Sequence, residues 1–381
     1  MITFDMNYQN HLLATVSVTH YVNDGLDMVL PVILPILVER YSLTFFQMGL
    51  IITSYFISAS FLQPIIGYAS DITGRKKLYL CSGLILLAFS LYMMQFAHNF
   101  FLMATCAFTA GLGYAIYHPE VIAFIGYHIK DRRGLGLGIH GLGGSAGRAF
   151  FPLITSTIAS LFGLGISLLA ALVIGIFASL LAFLILREIS EPLEKRLDFK
   201  QVGGIVILLS VILALRSAFF YGTVSFVPTY FVKVLNSDMV WSGLSVFIMM
   251  IAGLVTQPIG GHLSDIFGRR KVYAVSSFIS GIGFIVFLVL PLPISLVALG
   301  ITGFFIFLGF PMTFAIISDT IPKETMSGNT GIVSGIGGIG SVLSPMMVGL
   351  LADHFGLYLA LFIPISFTII AGILTLFLPK K

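Results

Sequence analysis

The chain has 381 residues, 57% of them hydrophobic and only 9% charged, with a formal net charge of +4. A soluble globular domain carries about 25% charged residues, so this chain cannot cover a water-facing surface, and its composition suits an outer face that meets lipid. At about 20 apolar residues per membrane-spanning helix, and roughly 32 with its loop, the length holds about twelve spans, which excludes a soluble catalytic domain, a large ectodomain and a disordered tail. Cys81 and Cys106 sit in apolar runs and indicate neither a disulfide framework nor a metal cluster. Basic residues come as short clusters between hydrophobic runs, a pattern of membrane topology and not of a nucleic-acid surface. Met1 to Asn10 has no basic n-region and no small-residue cleavage site, so no removable signal is expected.

Hydrophobic runs fall at 12–38, 45–70, 78–97, 100–127, 135–161, 166–186, 203–232, 243–264, 272–290, 294–317, 330–351 and 357–378. Barrel strands would be about 10 residues long and alternating, so these runs predict an all-α membrane protein of twelve transmembrane helices. The longest connection, Arg187 to Lys200, is dense in both signs of charge. It divides the chain into an N-terminal six-helix half 1–186, a cytoplasmic linker 187–202 and a C-terminal six-helix half 203–381. With the N-terminus inside, sixteen Lys and Arg lie on the inner side, Arg40 and Lys233 lie outside, and Arg148 and Arg216 fall within spans. That bias puts both termini in the cytoplasm of a multi-pass cell-membrane protein.

In span one, His20, Asn23, Asp24 and Asp27 are spaced i, i+3, i+4, i+7 and share one helical face. At about 1.5 Å per residue from Leu12, Asp24 lies roughly 18 Å deep, close to mid-bilayer. Ionisable groups at such depth are costly and mark function by default. Two desolvated acids three residues apart favour sharing a proton, so this face reads as a proton-coupling site. The competing reading is that Asp24 or Asp27 only neutralises a buried arginine. Asn23 serves equally as a substrate contact or as hydrogen-bonding glue between helices. Pro31 and Pro35 predict a kinked outer half.

After span two, Gly67 admits a close neighbouring helix. Asp71 marks the cytoplasmic boundary, where an acid can receive a helix N-terminus or an arginine. Arg75, Lys76 and Lys77 follow just outside. This reads as a gating latch, against simple positive-inside anchoring, which suits Lys76 and Lys77. In span four, His118 and Glu120 point about 160° apart and cannot share a site unless Pro119 breaks the helix. Glu120, about 30 Å along from Phe100, is either a further proton group or a solvated helix end. His140, near the cytoplasmic end of span five, reads as a loop cap in preference to a proton relay.

Arg148 and Arg216 lie mid-span, where neither can snorkel, so each must face a cavity or an acid. A guanidinium suits carboxylate or phosphonate bidentately, which makes both candidates for holding a substrate anion, with His118 beside them. Pairing with Asp24 or Asp27 is the competing reading. Gly136–Gly141 and Gly335–Gly340 fit G-x-G-x-x-G but follow no strand, and they read as close helix packing. The sequence has no Walker loop, no H-E-x-x-H and no cysteine ligand set, so no cofactor or metal is expected.

Gln63-Pro64-Ile65, Gly67, Ser70-Asp71 and Gly74-Arg75 recur as Gln257-Pro258-Ile259, Gly261, Ser264-Asp265 and Gly268-Arg269, at a constant offset of 194 residues. The same offset carries Gly141, Gly143 and Gly144 to Gly335, Gly337 and Gly338. Six spans per half preserve orientation, so the halves are parallel repeats, an arrangement that serves alternating access around a midplane site.

The run Gly67-Tyr68-Ala69-Ser70-Asp71-Ile72-Thr73-Gly74-Arg75-Lys76, echoed by Gly261, Asp265, Gly268, Arg269 and Arg270, resembles the signature loop of the major facilitator superfamily. His20-Tyr21-Val22-Asn23-Asp24 with Pro31 and Pro35 resembles that superfamily's fosmidomycin-resistance branch. So do Tyr117-His118-Pro119-Glu120, Gly143-Gly144, and Leu215-Arg216-Ser217 ahead of Phe226-Val227-Pro228. The resemblance implies a major facilitator fold, gating through Gly67, Asp71, Arg75, Gly261, Asp265 and Arg269, and a substrate role for Arg216. It also implies proton-coupled export of small organic compounds, a phosphonate antibiotic among them. At the position of Arg148 the branch usually carries a small or uncharged residue.

The expected function is proton-coupled efflux of a small anionic or amphipathic compound, with His20, Asp24, Asp27 and Glu120 coupling protons. Arg216, Arg148, Asn23 and His118 are expected at the substrate. The expected partners are that substrate, protons and the bilayer, around a monomer. Proton-linked uptake of an organic anion stays open. A membrane-embedded enzyme, or a receptor without transport, has no need of a duplicated gate.

Overall fold

The computed structural model describes residues 6–129, 133–189, 203–321 and 326–379. Most of the linker 187–202, and the inner-side charges Lys130, Arg132, Lys195, Arg196, Lys200, Lys323, Lys380 and Lys381, lie outside the described residues. Within them, all regular structure is helical. The first half of the chain holds α1 (Met6–Asp27), α2 (Val29–Tyr41), α3 (Phe45–Phe61), α4 (Gln63–Thr73), α5 (Lys76–Met93), α6 (Phe100–His128), α7 (Arg133–Phe162) and α8 (Leu164–Ile185). The second holds α9 (Gly204–Lys233), α10 (Met239–Met250), α11 (Gly253–Phe267), α12 (Arg269–Val289), α13 (Ile294–Gly309), α14 (Met312–Thr320), α15 (Met326–Phe355), α16 (Leu357–Ala360) and α17 (Ile363–Thr375).

Ten described stretches are long and apolar enough to cross a membrane, and the pair α3–α4, bent by 42°, makes an eleventh. The glycine-rich α7, at 30 residues, occupies the position expected for the fifth span but is not among these apolar stretches. Several spans are broken where the sequence removes a donor. Pro31 has no N–H for the Asp27 carbonyl, and α1 gives way to α2 at Met28. Pro311 likewise follows the break that separates α13 from α14.

The chain forms two compact units, one of Met1–Ser42, Ser54–Glu194 and Asp238–Gly243, the other of Leu43–Thr53, Lys195–Ser237 and Leu244–Lys381. Two short segments, 43–53 and 238–243, belong with the unit formed mainly by the other half of the chain. In the second unit Asp353 accepts the Phe45 and Phe46 N–H groups at 2.8 and 2.9 Å, and the Thr53 hydroxyl donates to the Val342 carbonyl at 2.7 Å. In the first, the Ser242 hydroxyl donates to the Val32 carbonyl at 2.9 Å.

Each unit is built on one close helix pair. In the first, a methyl at Gly143 or Gly147 would strike the Ser17 or Tyr21 carbonyl, so α7 lies directly on the α1 backbone. In the second, Gly340 presses on the Ala214 carbonyl and seats α15 on α9 in the same way. Outward faces stay apolar: Val173, Phe177, Leu180 and Leu184 form one exposed stripe on α8, as a lipid-facing helix requires.

Candidate functional site: a buried carboxylate among histidines

The polar face of α1 is buried throughout: His20, Asn23, Asp24 and Asp27 all lie inside the first unit. α6 brings Tyr114, Tyr117 and His118 to it, and α7 brings His140 and Arg148. Asp24 is the hub. Its Oδ2 lies 3.2 Å from His20 Nε2 and 3.1 Å from Arg148 Nε, and its Oδ1 lies 3.4 Å from His118 Nε2. Asn23 Nδ2 donates to Oδ1 at 3.2 Å. Arg148 then reaches onward, with Nη2 donating to the Tyr114 hydroxyl at 2.8 Å and lying 3.9 Å from Asp27 Oδ2. Arg148 therefore faces an acid, and the pairing left open by the sequence is the one present.

His20 is fixed from its other side. Its Nδ1 donates to the His140 carbonyl at 2.8 Å, and the two imidazoles stack with centroids 3.9 Å apart. A methyl at Gly144 would collide with the His20 ring, so the glycine provides the space in which the ring lies. His140 Nδ1 donates to the Val16 carbonyl at 3.1 Å. The loop-cap reading of His140 is thus corrected: α7 begins at Arg133, which puts His140 two turns inside the helix and buried. One sequence signal pointed there, because His140, Gly144 and Arg148 recur every four residues and share a face. Tyr114 and His118 are related by the same step on α6.

His20, Asp24 and His118 bring three ligand-type atoms within 4.8 Å of one another. Arg148 occupies the same carboxylate oxygen as His20, and a divalent ion would set more positive charge against a half-buried guanidinium. The donor set does not fit a resident metal.

Glu120 is separate from this cluster, as the opposed directions of His118 and Glu120 require. It is fully buried, not a solvated helix end, and its Oε2 lies 3.7 Å from Lys76 Nζ. Lys76 also donates to the Ser70 hydroxyl at 3.3 Å and pairs with Asp71. Asp71 is thus met by Lys76, the residue the sequence assigned to anchoring, and not by Arg75. The turn explains it: Gly74 adopts φ +63° and Arg75 is the N-cap, so α5 starts at Lys76 and turns that side chain inward. Gly67 rests beside Pro119 of α6.

In the second unit the same motif closes one residue earlier. Gly268, at φ +91°, is itself the cap of α12, and Arg269 starts the helix. Arg269 Nη1 lies 2.5 Å from Asp265 Oδ1, and its Nε lies 3.4 Å from Asp319 Oδ2. Nη1 also approaches the Gly261 carbonyl at 3.5 Å.

Arg216 is buried within the second unit and has no acid in ion-pair reach among the described residues. Nη1 donates to the Ser276 and Ser277 hydroxyls at 3.3 and 2.5 Å, and Nη2 to the Ile306 carbonyl at 2.9 Å. Both serines pass their own protons to the Tyr273 carbonyl, at 2.8 and 2.9 Å, which leaves their lone pairs to the guanidinium. The Tyr273 ring lies beneath the cation at 4.9 Å. Ile306 has a carbonyl to spare because Phe310 N–H turns to Phe307 instead. Gly309 is the space-maker here, since a methyl would meet both Ser276 and Arg216. The expectation of a cavity or an acid thus missed a third solution, a cage of neutral acceptors at a helix C-terminus, where the dipole is negative.

Ten or eleven candidate spans among the described residues, in two units with buried charges inside each, fit a multi-pass membrane protein, and the comparisons with known proteins make it a transporter. The Major Facilitator Superfamily model matches residues 16–256 and 209–381, and the chain belongs to that superfamily. It is 30% identical to the uncharacterized MFS-type transporter YfnC of Bacillus subtilis, over 97% of this chain and 93% of that protein. It is 28% identical to the fosmidomycin resistance protein of Escherichia coli, again over 97% and 93%. Among solved structures it resembles a bacterial homologue of the human lysosomal transporter Spinster, in an inward-facing and unoccupied conformation. The TM-score is 0.80 at 15% identity, covering 97% of each chain.

Proposed function

We propose that the protein is a proton-coupled exporter of small organic anions or amphipathic compounds, working by alternating access as a monomer in the cytoplasmic membrane with both termini inside. The observation that carries this reading is Asp24, a buried carboxylate contacted by two titratable imidazoles and one guanidinium. Such a group exchanges a proton and passes the change in charge to its neighbours. Asp27, through Arg148, shares in that exchange, and Glu120, against buried Lys76, is a second proton group on α6. The fosmidomycin resistance protein among the relatives supports export, and a phosphonate-like anion as the class of cargo.

Arg148 is neutralised by Asp24, so the anion falls first to Arg216, whose guanidinium lacks a carboxylate among the described residues. Within the first unit, Asn23 and His118 are further candidate substrate groups, and Arg148 becomes available to substrate when Asp24 is protonated. Asp71 with Lys76 and Asp265 with Arg269 act as cytoplasmic latches beside Gly67 and Gly261, with Arg75 just outside. Ion pairs of this kind bias one of two conformations.

The test is pH change inside proteoliposomes on adding phosphonates and small organic acids, with Arg216→Ala as the control. Substrate-driven proton movement that the substitution abolishes is the expected result. Proton movement in the same direction as the substrate would replace export with proton-linked uptake. No movement with any compound would overturn the coupling.

A further inference from the structure

The His20–Asp24 contact carries more information than its distance. A backbone carbonyl only accepts, so the 2.8 Å bond to His140 puts a hydrogen on His20 Nδ1. In a neutral ring with that tautomer, Nε2 bears a lone pair. That lone pair would face the Asp24 carboxylate, also an acceptor only, at 3.2 Å. Two acceptors do not hold such a contact; a proton between them does. Arg148 does not remove the need, because its Nε lies 3.1 Å from Asp24 Oδ2 as an ion-pair contact without a hydrogen bond to it.

We infer that one exchangeable proton sits between His20 Nε2 and Asp24 Oδ2, held there by the His140 carbonyl, which fixes the ring's other nitrogen. The inference rests on the proton-coupling reading and locates its proton. His140 is a positioning residue through its backbone, and Gly144 is another, by leaving the ring its place. The other titratable groups facing His20 are Tyr117 and His118 from α6 and the His140 ring from α7, at centroid distances of 6.0, 5.5 and 3.9 Å. Loss of the proton sets lone pair against lone pair. The ring or the carboxylate must then move, which changes the grip on Arg148.

The test is solid-state nitrogen NMR of the full chain, labelled at its 8 histidines, in phosphatidylcholine liposomes near about pH 6. His20 is expected with both nitrogens protonated. Its signal should vanish in His20→Gln. In Asp24→Asn the new amide can donate to Nε2, so the ring should become a neutral Nδ1–H tautomer. A protonated-carboxyl infrared band lost in Asp24→Asn would equally place the proton on the pair. A neutral His20 beside an ionised Asp24, or an imidazolium unchanged in Asp24→Asn, would overturn the inference. Because these signals need no transport, a proton present on the pair without substrate-driven proton movement would sink the transport reading alone.

Discussion

Arg148 and Arg216 are both mid-span guanidiniums, the first half-buried and the second buried, one in each unit, and they are stabilised in opposite ways. Arg148 meets a carboxylate and is surrounded by groups that titrate. Arg216 meets hydroxyls, a carbonyl and an aromatic face, none of which changes charge near neutral pH. The internal repeat makes the contrast sharper. Shifting by 194 residues takes His20, Asp24, His118 and Arg148 to Ala214, Ala218, Met312 and Val342, and takes Arg216 back to Val22. The duplicated scaffold kept its glycine seams, while the charged chemistry parted into one unit of acids, imidazoles and a guanidinium and another whose buried cation meets only neutral acceptors. The proposed coupling of two different ligands requires such an asymmetry, because identical halves would compete for both.

The comparison breaks most severely at Asp24. Asp24→Asn leaves the Arg148 guanidinium only the more distant Asp27, 3.9 Å away, and takes away the acceptor of the proposed proton. Loss of about 1.5–3 kcal/mol per charged hydrogen bond should reduce substrate-driven proton movement in liposomes by tenfold or more, to about a hundredfold. Binding of a labelled anion should survive, and its loss would mean that Asp24 holds substrate directly. Next comes Arg216→Lys. An ammonium keeps the charge but cannot serve Ser276, Ser277 and Ile306 together, so transport should fall about tenfold with anion affinity falling alongside. Unchanged affinity would make the cage purely structural.

Ser277→Ala removes one neutral acceptor, for which the ordinary net hydrogen-bond contribution of about 1 kcal/mol predicts a several-fold weaker anion affinity and a small drop in melting temperature. The loop signatures give the smallest contrast, and it has a direction. Lys76 is buried and Asp71 is its near partner, whereas Asp265 is mostly exposed and Arg269 keeps Asp319 when it is lost. Transport should therefore drop clearly in Asp71→Ala and stay within about twofold of wild type in Asp265→Ala, as exposed pairs contribute little. Equal effects would show that the two latches are equivalent despite their different closure.

Much of the fold was legible in the sequence. The spans follow from apolar runs, the repeat from the constant offset, and the breaks at Met28 and Phe310 from prolines that lack a donor. The four polar residues of α1 were legible for the same reason, since one helical face at that depth admits few interpretations. What escaped lies across helices. That His118 and His140 both converge on α1 depends on how close α6 and α7 approach it, and that distance is set by Gly143, Gly144 and Gly147, whose effect is packing and not chemistry. The exchange of Arg75 for Lys76 was invisible because a one-residue difference in where a helix begins leaves no trace in the motif itself. The acceptor cage of Arg216 was hidden too, since serines on a hydrophobic helix look like ordinary packing.

The Ile306 carbonyl has one more consequence. It is offered to Arg216 only because the helix backbone fails to use it at the bend before Pro311. Winding the chain into a continuous helix there would return the oxygen to the backbone and loosen the guanidinium. An anion drawing the guanidinium away would in turn leave the oxygen to the helix. The curvature of this span and the acceptor set of its cation are therefore two readings of one variable.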